Sequence, residues 1–108
     1  MMKIDYSKVN WHELSKKINN LRVTGLRKNV HTYNACKFKR LAQELDDAVG
    51  MARFGYFEGY TEMYVTAAGR DYDINTGRTL ETLALLAKHD LARGLQDWHN
   101  DYKKGLLS

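Results

Sequence analysis

Residues 35–68 read ACKFKRLAQELDDAVGMARFGYFEGYTEMYVTAA, and the fold turns on whether that stretch is one helix or two. A helix starting near Asn34 or Ala35 places Phe38, Leu41, Leu45, Val49 and Ala52 on one apolar face, the repeat expected of a helix packed on a core. Gly50, Gly55 and Gly59 interrupt that repeat. Each costs a helix interior about 1 kcal/mol relative to alanine, so Gly50 or Gly55 is the natural place for a break. The opposing signal is that Ala48, Ala52, Gly55 and Gly59 themselves recur at helical spacing. They would form a seam of small residues that lets another backbone approach closely, either the last helix or a second copy of the chain. Tyr56, Tyr60 and Tyr64 follow one another at i, i+4 and i+8, one above the next on a helix. The spacing therefore favours helix through about Ala68, with the break as the alternative.

Downstream, Gly69 suits a helix C-cap, and RDYDINTG at 70–77 reads as a loop rich in Asp, Asn and Gly. A last helix from about Arg78 to Lys104 carries a stripe of Leu80, Leu83, Leu86 or Ala87, Leu91, Leu95 (or Gly94), Trp98 and Tyr102. Lys103 and Lys104 complement the negative end of its dipole. Upstream, residues 22–34 (RVTGLRKNVHTYN) lack a period, and Val23, Val30, Thr32 and Tyr33 favour extended backbone. They read as a basic loop. A first helix opens at Asn10, a good N-cap with Glu13 three residues on in capping-box register. Val9 and Leu14 sit in staple positions, and Trp11, Leu14, Ile18 and Leu21 give the apolar face. This helix is expected to end between Leu21 and Gly25. The fold class is thus all-α: a small bundle of three to four helices, one domain over residues 1–108.

Composition agrees. Hydrophobic residues make up 44 % of the chain, enough for one modest core, and the chain has no proline, the strongest helix breaker. No apolar run approaches the roughly 20 residues needed to cross a bilayer, and the first residues, MMKIDYSKVNW, lack the apolar core of a secretory signal. Cys36 is the one cysteine, which points to a reducing, cytoplasmic setting.

Charge is distributed unevenly. Residues 14–43 hold eight cations (Lys16, Lys17, Arg22, Arg27, Lys28, Lys37, Lys39 and Arg40) and no acid. Residues 44–81 hold eight acids and three arginines. The basic segment either faces an acidic partner or folds against the acidic segment.

These residues supply the functional candidates. The basic segment, with His31 and Tyr33, would meet either an acidic protein surface or phosphates and bases. Tyr56, Tyr60 and Tyr64 would anchor a protein interface, where tyrosine is enriched, or else fill the core. Asp71, Asp73, Asn75 and Glu81 resemble a calcium loop in their alternating oxygens. Thr76 stands where such a loop needs glycine, however, and Thr82 where it needs the last acid. A helix-turn-helix starting at Phe38 is disfavoured by Asp46 and Asp47 at its turn, which would repel phosphates. No HxxxH or HExxH pair, nucleophile motif or phosphate loop appears. The expectation is therefore a non-catalytic protein with no cofactor and no membrane span. It would dock on and modulate a partner protein with an acidic surface, in the manner of small accessory or inhibitor proteins of phages and mobile elements. Nucleic-acid binding is the alternative, and a homodimer through the small-residue seam is a further option.

Overall fold

The computed structural model describes residues 4–69 and 77–107. It places four α-helices there: α1 Trp11–Asn19, α2 Lys28–Val49, α3 Tyr56–Gly69 and α4 Gly77–Lys103. A 3₁₀ turn at Tyr6–Lys8 precedes them, and no strand occurs among the described residues. The fold is all-α. Helix α3 packs between α2 and α4, and α1 packs mainly on α4 and only lightly on α2.

The first helix starts where its cap requires, with Asn10 Oδ1 accepting from the Glu13 amide at 3.0 Å. It ends earlier than its apolar period suggests, at Asn19. Lys88 reaches across from α4 and donates to the Asn19 and Leu21 carbonyls at 2.9 and 2.7 Å. A cation on the carbonyl end of a helix satisfies its orphan acceptors and its dipole together.

The long central stretch is two helices, not one running through Ala68. Gly50 adopts φ +78°, and its amide and that of Met51 turn back onto the Asp46 and Asp47 carbonyls, a left-handed close of the Schellman type. Gly55 is also left-handed at φ +63°. The chain then re-enters helix at Tyr56, capped from a distance. Asp46 is buried, its Oδ1 accepting from the Phe57 amide at 2.7 Å and its Oδ2 from the Glu58 amide at 3.0 Å. One carboxylate at the end of α2 thus caps the start of α3 and fixes the hairpin between them. Burial pushes that carboxyl up in pKa, opposed by the two amides.

The break dissolves the seam of small residues. Ala52 and Gly59 are exposed, and an added Cβ at Gly59 would meet nothing. The close approach lies on α4 instead. A Cβ on Gly94 would sit 3.0 Å from a Tyr60 ring atom and 3.1 Å from one of Phe57, so it is this buried glycine that lets α3 lie against α4.

The second helix starts at Lys28, not at Asn34 or Ala35. Its buried stripe runs His31, Asn34, Ala35, Phe38, Leu41, Ala42, Leu45 and Val49, so two polar residues continue the apolar face toward the N-terminus. Tyr64 is completely buried and bonds both of them, with its hydroxyl 2.7 Å from His31 Nδ1 and 2.9 Å from Asn34 Nδ2. Around these, Ile18, Phe38, Leu45, Phe57, Leu80 and Leu91 form the centre of one core. At the end of the bundle holding the C-terminus of α4, Trp98 stacks on Tyr6 and meets the edge of Tyr56, and Trp11 stacks on His99 at 4.9 Å.

Candidate interaction surface

The outward side of α2 is built by the same period that buries its core. Val30, Tyr33, Lys37 and Arg40 follow at spacings of three, four and three, within one side of a helix. All four are exposed, Tyr33 to 64 %. Lys37 Nζ lies 4.9 Å from the centroid of the Tyr33 ring, within cation–π range. Among the described residues, neither Lys37 nor Arg40 has an ion-pair partner. Cys36 is exposed on the same helix between Tyr33 and Arg40.

The rest of the basic segment lies on α1, in the connection after it and at the start of α2. Lys16 and Lys17 close the last turn of α1, Arg22 lies in the connection with its Nε on the Thr24 carbonyl at 3.3 Å, and Arg27 is the N-cap of α2. Lys28 opens α2, but its side chain lies outside the described residues. Two cations are engaged by the acidic segment. Lys17 Nζ is 2.6 Å from Glu44 Oε1, which raises the lysine pKa through that bond, and Lys39 Nζ is 3.9 Å from Glu58. Arg40, Lys17, Glu44 and Asp47 edge an open groove of about 630 Å³ floored by Leu21 and Leu41. The two charge segments therefore meet at the borders of the α2 side and leave its middle unneutralised.

The structure removes other candidates from the surface. His31 and Tyr64 are core residues, each fully enclosed and bonded to the other, so neither reaches a partner. Tyr56 and Tyr60 are half-buried against Phe57 and Trp98. Their hydroxyls pair at 3.2 Å, and that bond together with burial holds the Tyr56 proton, its pKa pushed up to about 12. The tyrosine stripe thus mostly fills the core between α3 and α4. Asp71, Asp73 and Asn75 lie outside the described residues, and Glu81 sits half-buried on α4. No group of three metal-ligating side chains gathers among the described residues. No helix among them is long and apolar enough to cross a membrane.

Comparison with protein families, with curated proteins and with solved structures finds no match for this chain. Its function is therefore read from its own surface.

Val30 is a residue that sequence reading left out of the candidate surface. Its exposure follows once α2 is extended back to Lys28, because it then falls one turn before Tyr33 on the outward side. The signal was the stripe of Phe38, Ala35 and His31 continuing toward the N-terminus, hidden by the polar character of its last member.

Proposed function

We propose that the protein is a non-catalytic binding protein that docks on an acidic surface of a partner protein through the outward side of α2. The observation that carries this reading is the exposed Tyr33 ring, held under Lys37 and flanked by the unpaired Arg40. Tyrosine and arginine are enriched among the residues that carry interface binding energy. The surrounding cations would steer an acidic partner and set its orientation. The chemistry suits an accessory or inhibitor protein acting inside the cell, where the lone Cys36 stays reduced.

One observation favours a second reading. Lys16, Arg22 and Arg27 are exposed like Tyr33, a ring that could stack on a base. The pairing of Lys17 with Glu44 and of Lys39 with Glu58 counts against it, because it takes two cations from the phosphate contacts on which nucleic-acid affinity mainly rests.

Two experiments separate the readings. Titration of labelled single- and double-stranded DNA and RNA by fluorescence anisotropy at about 50 and 200 mM salt should show no binding at micromolar protein. Micromolar affinity that collapses at the higher salt would transfer the site to nucleic acid. Affinity capture from nuclease-treated extract should retain a protein that a Tyr33→Ala, Arg40→Glu double variant of unchanged melting temperature releases. Equal capture by both forms would rule out this side of α2.

A further inference from the structure

We propose that His31 is a proton-sensitive latch that holds the docking side of α2 in place and releases it on acidification. The regulatory part of this inference rests on the docking reading above, whereas the latch itself stands on the hydrogen-bond geometry. Asn34 Nδ2 can only donate, and it donates both to the Arg22 carbonyl at 2.8 Å and to the Tyr64 hydroxyl at 2.9 Å. The Tyr64 oxygen accepts there, and the acceptor within reach of its own proton is His31 Nδ1, 2.7 Å away. His31 Nδ1 is then an acceptor, and the ring proton resides on Nε2, which is buried without a partner. This arrangement satisfies the Tyr64 hydroxyl fully only with neutral imidazole.

A second proton would have to go onto Nδ1. The Tyr64 oxygen would then face two donors, and its own hydrogen would lose its acceptor. The imidazolium would also lie in a fully enclosed site. Among the described residues, the charged and titratable groups around it come from three elements. Tyr64 comes from α3, and Glu81 from α4 supplies a field that favours the proton. Arg22, in the preceding connection, turns its side chain back to the Thr24 carbonyl. Burial outweighs Glu81 and lowers the His31 pKa below its ordinary 6.5.

The latch holds a helix start with little else to anchor it. Arg27, the N-cap of α2, makes no side-chain capping bond. The first turns are tied down through His31, through Asn34 and through Thr32, whose Oγ1 donates to the Ala68 carbonyl at 2.8 Å. Val30 and Tyr33, the N-terminal half of the docking side, lie on the turn that His31 pins. Opening this turn exposes His31 to water, where it binds a proton in the ordinary way. One-proton linkage then raises the open fraction by up to about tenfold between pH 7.5 and 5.5.

Hydrogen exchange of the intact chain, with rates corrected for intrinsic chemistry, reads this directly. Amides 30–35 should lose about three- to tenfold in protection between pH 7.5 and 5.5, while those in the middle of α4 hold theirs. In His31→Gln, which keeps a neutral hydrogen-bonding side chain, the pH response of 30–35 should vanish. An equal response in the variant, no response in the wild type, or a loss spread evenly over all helices would overturn the latch. Should the variant fail to fold, NMR titration of the His31 ring in the wild type decides. A midpoint clearly below 6.5 upholds the latch, and one at or above it refutes it. None of these readouts involves a partner, so the latch and the docking reading fail separately.

Discussion

At the scale of single residues, two glycines on neighbouring helices separate packing from propensity. Gly94 is buried with ring atoms of Tyr60 and Phe57 where its Cβ would be. Gly94→Ala should therefore destabilise the protein by about 1–3 kcal/mol through overpacking, despite the better helix propensity of alanine. Gly59 is an exposed glycine in α3 with nothing around it. Gly59→Ala should stabilise by up to about 1 kcal/mol. Urea unfolding of the two variants checks both, and equal signs would mean that α3 and α4 do not meet at Gly94. Asp46 gives a second contrast. Asp46→Ala removes the acceptor for two amides at the start of α3 and should cost about 1–2 kcal/mol. Asp46→Asn keeps one good acceptor and relieves the buried charge, so it should cost clearly less. A melting-temperature series would show the order.

At the scale of the helices, α1 and α4 were legible in the sequence because their signals are local. Asn10 caps as its spacing with Glu13 implies, and the α4 stripe from Leu80 to Tyr102 is buried or half-buried nearly throughout. The start of α2 was not legible. Val30, Thr32 and Asn29 are weak helix formers, and their cost of a few tenths of a kcal/mol each is overridden by the bonds of His31 and Asn34 to Tyr64, 33 and 30 residues away. The break between α2 and α3 was visible only as an alternative. Three glycines signalled it, but the spacing of small residues imitated a continuous seam, and the deciding Asp46 cap joins residues 11 and 12 apart. The surface was half legible. The described basic residues of segment 14–43 are exposed and two of them, Lys17 and Lys39, pair with acids, a division that charge alone left open, whereas the tyrosine stripe and His31 went mostly to the core because a chain this small fills its interior with whatever large rings it has. The break has its own test. Gly50 is left-handed, and a Cβ there would come 2.6 Å from Ile4 Cγ1. Gly50→Ala should cost roughly 1–2 kcal/mol from the backbone alone, whereas a continuous helix at this position would be stabilised by the same change.

At the scale of the whole molecule, pH should act through the enclosed His31 and the half-buried His99. Burial lowers the pKa of His31, and burial with the nearby Lys103 lowers that of His99. A histidine depressed in the folded state takes up its proton more readily when unfolded. Its stabilising effect is therefore full above the unfolded value of 6.5 and is lost as pH falls below it. The urea midpoint should drop between pH 7.5 and 5.5, with His31 contributing at most about 1.4 kcal/mol of that loss. A midpoint that rises on acidification would contradict the buried neutral His31.

The charge arrangement makes the central claim testable on the chain as it stands, because the one cysteine lies on the proposed docking side, between Tyr33 and Arg40. A photo-crosslinker coupled to Cys36 and irradiated in cell extract samples whatever covers that side. The control carries the same group on α3, in a Cys36→Ala, Met63→Cys variant, since Met63 is also open to solvent, at 73 % exposure. A discrete protein adduct that forms from Cys36, resists nuclease, and disappears both in the control and on Arg40→Glu substitution is the predicted result. Nucleic-acid adducts from Cys36, or the same protein adducts from both positions, would contradict docking of a protein partner through α2.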